Sequence, residues 1–177
     1  MEDQNDINGQ SILEHDPEVD IQEIISLNKF IFLSIITFGI YEIWWIYKAW
    51  KFYKQRDKLD ILPVARTILS LLFLYPLLNT ILESAKEKGY NYSYSSGVLF
   101  ICFIVLNLLG NLPEPFWFIS IFSFICLIPP FKALNYLKQS STEFMVIEQA
   151  SFNGRQISLI VIGIIFWGLV IFGTMLL

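Results

Sequence analysis

Glu42 is the one acid set inside an apolar run of this 177-residue chain, between the hydrophobic residues 30–40 and the Trp44-Trp45 pair. An ionisable group in such a run is costly to bury and is often functional. The neighbouring tryptophans favour an interfacial carboxylate that snorkels or accepts a hydrogen bond. The sharper reading pairs Glu42 with Arg66, at the start of the next helix, or with Asn79 or Asn107. Glu42, Asn79 and Asn107 are thus the candidate intramembrane polar site, with Asn107 expected to join helices rather than to hold a substrate. A second group is basic. At 100° per residue Lys51, Lys54 and Lys58 fall close together, with Lys48 at the edge of their face. The plain role of these four lysines is to fix orientation in the bilayer, and contact with anionic lipid headgroups is the added expectation. The interleaved aromatics suit an interfacial belt better than a base-stacking platform, so no nucleic-acid partner is expected.

The rest of the chemistry is sparse. No phosphate-cradling glycine loop, HExxH, GxSxG or CxxC pattern occurs. The single histidine, His15, lies in an acidic leader, so a histidine-based triad is not available to the apolar part. Cys102 and Cys126 both lie in apolar runs and read as packing residues, too few with one histidine to close a zinc site and not a disulfide framework. No metal, no cofactor and no catalytic residue is expected.

The elements that must carry these residues are hydrophobic helices. Apolar residues make up 55% of the chain, aromatics 16%, and mean hydropathy is +0.56, more apolar surface than a core this small can hide. The first 28 residues hold eight acids and no Lys or Arg, whereas the remainder sets eight acids against all 12 basic residues. The net charge of -4 therefore belongs to the leader, read as a flexible acidic tail over 1–27 with a short helix starting near Asp16-Pro17-Glu18. The helical transmembrane domain is 28–177, with segments at about 29–50, 66–82, 98–112, 116–130 and 157–177. The first grades from lipid through an aromatic belt to headgroups. Tyr75-Pro76 interrupts the second, Pro129-Pro130 ends the fourth, Ser141 or Thr142 caps a partly apolar helix, and Asn153-Gly154 closes it. Gly163, Gly168 and Gly173 recur every five residues of the last segment, off the GxxxG spacing, and read as close-packing positions.

Thr37-Phe38-Gly39-Ile40-Tyr41, followed by Trp45 and Tyr47-Lys48, resembles the signature of a small bacterial membrane family, domain-of-unknown-function family 4234. The match covers 37–56; Glu42 and the Trp44-Trp45 pair depart from the pattern. The resemblance implies a compact multi-helix protein of the bacterial inner membrane and carries no activity.

The expected fold is therefore all-α, a polytopic helical membrane protein with four to five hydrophobic helices. If all five segments span, Lys and Arg divide six against five between the two sides; if the second segment turns back at Pro76, all 11 share the cytoplasmic face. The expected function is a non-enzymatic accessory or interaction protein of the bacterial cytoplasmic membrane. Its partners are the bilayer with its anionic lipids and a membrane protein or further copies of itself. A small oligomeric transporter or channel built on Pro76, Asn79, Asn107 and Glu42 is the alternative.

Overall fold

Leu74, Leu77, Leu78, Ile81 and Ala85 recur at helical spacing and are fully buried, which marks the centre of the molecule. They lie on α4 (Ser70–Glu87), which packs on α6 (Phe124–Gln139), where Leu127, Phe131, Leu134 and Leu137 are buried. Each such side chain contributes about 2 kcal/mol relative to exposure. The structure, a computed structural model, describes residues 21–113, 116–142 and 144–175. In chain order these form β1 (Ile21–Ile24), α1 (Leu27–Ile36), α2 (Ile40–Arg56), α3 (Pro63–Ile68), α4 and α5 (Ser96–Leu108). Then come 3-10 turns at Leu109–Asn111 and Phe116–Ser123, followed by α6, β2 (Met145–Glu148) and α7 (Gly154–Met175).

Among the described residues the chain is mostly helical, and two helical stretches are long and apolar enough to cross a membrane, Phe116–Gln139 and Gly154–Gly173. Burial separates them. The first is 44% buried, but the second is only 11% buried, the reverse of a soluble protein's core helix. Ile157, Val161, Ile164, Ile165, Leu169 and Phe172 all stand exposed on α7. Such a surface calls for lipid or a membrane partner rather than water.

The structure redraws several expected elements. The segment 29–50 is two helices, α1 and α2, not one. The segment 66–82 breaks at Leu69, and α4 then runs unbroken through Pro76. No turn back forms at that residue, because the buried Leu74, Leu77 and Leu78 hold both sides of the one missing backbone bond. Helix α6 likewise continues through Pro129-Pro130. The aromatics of α2 are not a belt: Tyr41, Trp45, Trp50, Phe52 and Tyr53 are core, and Phe30, Trp45 and Phe131 pack ring against ring at 4.5–6.2 Å. Ser141 caps no helix; its hydroxyl donates to Leu137 O at 2.7 Å, and the chain then extends into β2. Strand β2 pairs in parallel with β1, Ile21 against Met145, so residues 21–24 belong to the folded body rather than to the tail. The expected helix start at Asp16-Pro17-Glu18 lies outside the described residues. In the connection from α4 to α5, the Tyr94 hydroxyl donates to Leu78 O at 2.8 Å, and burial raises its pKa, which keeps it a donor.

Candidate functional site

The break between α1 and α2 organises the polar interior. Helix α1 ends with Gly39 N–H donating to Ser34 O at 2.9 Å and Phe38 N–H to Ile35 O at 3.3 Å, the paired bonds of a Schellman cap. The left-handed position of that cap normally takes glycine, yet here it is Phe38, at φ 51°, with Gly39 following at φ 80°. A left-handed non-glycine residue costs about 1–2 kcal/mol. The Phe38 ring offsets this by packing on Phe166 and Trp167, both at 4.4 Å, and on Trp117 at 5.8 Å. The break is therefore also where α7 attaches. Thr37 stitches the two helices: its hydroxyl donates to Leu33 O at 2.7 Å and accepts from Tyr41 N–H at 3.0 Å. Thr37, Gly39 and Tyr41 of the family-like run thus each have a local structural task.

Glu42 sits in the first turn of α2, 1% exposed, where a carboxylate gains from the helix dipole. The Ser123 hydroxyl, at the start of α6, lies 3.0 and 2.9 Å from its two oxygens and donates to them. Arg66 is not its partner; that guanidinium lies over Trp50 at 4.5 Å and Phe73 at 5.3 Å. Nor do the asparagines join it. Half-buried Asn79 donates to Glu83 at 2.8 Å, and exposed Asn107 donates to Phe103 O of its own helix at 2.9 Å. The three expected members of one polar site are separate, and each asparagine is served within its own helix.

A different polar space exists. A crevice of about 690 Å³ lies between β1, α2, α6 and the start of α7. Among the described residues its cations are Lys48, Lys51, Lys138 and Arg155, against one acid, Glu23. Gln22, Gln55, Asn135, Gln149, Asn153 and Gln156 supply amides, and Trp44, Trp45, Phe52 and Phe131 supply apolar walls. Local folding fixes the floor. Asn153 and Gln156 form a reciprocal capping box at the start of α7, each side chain accepting from the other's backbone N–H at 3.0 Å. Asn153-Gly154 therefore opens a helix rather than closing one. The Gln156 amide also donates to Tyr41 Oη at 3.2 Å, which ties α7 to the break. Asn135 donates to Ile25 O at 3.0 Å, and Lys29 to the carbonyls of Gln149 and Ala150, which fasten the ribbon and its flanks to the helices.

Lys138 is the crevice's buried cation, 7% exposed, with Nζ 3.4 Å from the Glu23 carbonyl and 5.3 Å from the Phe52 ring centre. Lys48 and Arg155 flank Trp44 at 5.8 and 5.9 Å. Among the described residues only Arg56–Asp57 forms an ion pair, so no described carboxylate lies within 4 Å of these cations. The expected lysine row is divided: Lys48 and Lys51 border the crevice, while Lys54 and Lys58 stand exposed outside it. No group of three or more His, Cys, Asp or Glu among the described residues could hold a metal.

No family model, curated protein or solved structure matches this chain. Sequence reasoning missed Lys138, Arg155, Gln149 and Gln156. The N-x-x-Q spacing at 153–156 was the available signal for the last of these; Lys138 had none, because the contacts that bury it come from β1 and α2.

Proposed function

We propose that this chain is a multi-pass protein of a bacterial cytoplasmic membrane that acts as a non-enzymatic accessory or interaction protein. The observation that carries the reading is the fate of the polar residues inside the apolar segments. Glu42 is sealed against Ser123, and Asn79 and Asn107 each donate a bond within their own helix. A transport site needs such groups to share a polar space across the bundle, and these do not. The exposed apolar length of α7 supports membrane embedding, and α1 and the stretch Ser96–Asn111 are further, shorter apolar helices. The same surface is open to a membrane partner or a second copy. The likeness over residues 37–56 to domain-of-unknown-function family 4234 is proposed on the same footing; it suits a bacterial membrane and supplies no activity.

Reconstitution tests the reading. Proteoliposomes containing the full chain should keep proton and potassium leak at the level of empty vesicles. A flux above that level, abolished by Glu42→Gln, would replace the accessory reading with transport.

A further inference from the structure

We propose that the crevice bounded by Lys48, Lys51, Lys138 and Arg155 binds a phosphate-bearing anion at the membrane boundary, presented by a phospholipid headgroup or by a free phosphate ester. Charge is the first ground: among the described residues that line it, four cations face one carboxylate. The buried cation is the second. Lys138 carries three donors, and among the described residues its one hydrogen bond is a long 3.4 Å contact to a neutral carbonyl. A charge taken out of water this far needs an anionic partner, and no described residue supplies one within 4 Å. Size is the third, since about 690 Å³ falls within the usual range for small-ligand sites. The amides of Asn135 and Gln149 and the aromatic wall of Trp44 suit a polar group larger than phosphate alone.

Position gives the crevice its membrane setting. Both stretches able to cross a bilayer end here, Phe116–Gln139 by its C-terminus and Gly154–Gly173 by its N-terminus. A space lying where two spans begin and end is at headgroup depth. The N-terminus of the 22-residue α7 adds its positive end, and a Cβ built on Gly154 would meet nothing within 4 Å. The inference rests on the membrane reading for its lipid source alone; the free-ester source does not need it.

The test uses the purified full chain in a non-ionic detergent, titrated separately with dioctanoyl phosphatidylglycerol, glycerol 3-phosphate and inorganic phosphate. Binding is read by calorimetry and folding by thermal melting. The unmodified chain should bind at least one probe. The pair Lys138→Met and Arg155→Gln should weaken binding by about tenfold or more, as expected for lost charge-assisted bonds. The pair Lys54→Gln and Lys58→Gln, outside the crevice, should stay within about twofold, as screened surface charges do. If Lys138→Met does not fold, Lys51→Gln with Arg155→Gln, both at the open side, takes its place. Binding of the lipid alone identifies a headgroup, and equal binding of glycerol 3-phosphate identifies a free ester. A folded chain that binds none of the three probes, or equal losses in the crevice and outside pairs, overturns the proposal. Carbonate washing of membranes is scored separately. A chain that resists extraction yet binds no probe counts against the crevice, whereas one released by carbonate counts against the membrane reading.

Discussion

Gly163→Ala should loosen α7 from the bundle, and its two sister glycines provide the control. A Cβ at Gly163 would stand 2.2 Å from Ile36 O and 2.9 Å from Ile36 C, both backbone atoms that no rotamer change can move. Ordinary contact begins near 3.4 Å, so α7 must retreat by about 1 Å. That retreat pulls Phe166 and Trp167 from Phe38, whose contacts at 4.4 Å offset the left-handed backbone there. Overpacking of this kind costs about 1–3 kcal/mol. Alanine in place of glycine also returns about 1 kcal/mol of helix propensity, equally at all three sites. A Cβ at Gly168 or Gly173 meets nothing within 4 Å, so those variants should gain only the propensity. In melting experiments in detergent, Gly163→Ala should fall below Gly168→Ala by about 2–12 °C, given 2–4 °C per kcal/mol for a chain of this size. A Gly163→Ala midpoint equal to or above that of Gly168→Ala would refute the close approach of α7 to the end of α1.

Two further outcomes follow from the break. Thr37→Val removes the hydroxyl that joins Leu33 O to Tyr41 N–H and leaves a buried donor unpaired, a loss of about 1–3 kcal/mol readable as a lower midpoint in the same melts. In a double-mutant cycle, Ser123→Ala should cost about 1–3 kcal/mol in the presence of Glu42 and distinctly less beside Glu42→Leu, which has no carboxylate to strand; equal costs would mean that the pair is not coupled.

Long apolar character was the most legible feature. Residues 157–177 read as an uncharged span, and α7 covers Gly154–Met175. What escaped the sequence depends on contacts made far along the chain. The parallel pairing of Ile21 with Met145 leaves no local pattern, since each strand has four residues and no hairpin turn joins them. The break after α1 was half visible, since Gly39 offers a bend there, but the left-handed cap position itself is Phe38, where a sequence rule looks for glycine. The aromatics of α2 look alike whether they meet headgroups or other rings, and only distant partners, Phe30 and Phe131 for Trp45 and Phe144 for Phe52, make them core. Of the site, Glu42 was visible as an isolated acid, but Ser123 was not singled out among neighbouring polar residues. The crevice was half visible: Lys48 and Lys51 stood in the basic row, and Lys138 and Arg155 reach them through tertiary contacts alone.

Membrane embedding of α7 is the claim at the centre of the proposed function, and depth measured along that helix tests it. Single nitroxide labels at Ile157, Ile164 and Phe172, each exposed, would be placed in a background without Cys102 and Cys126 and reconstituted in phospholipid nanodiscs. Collision with dissolved oxygen, relative to a water-soluble nickel chelate, should peak at Ile164 and fall toward both other sites, as for a helix that spans a hydrocarbon core of about 30 Å. Strong and equal collision with the nickel chelate at all three positions would contradict the account.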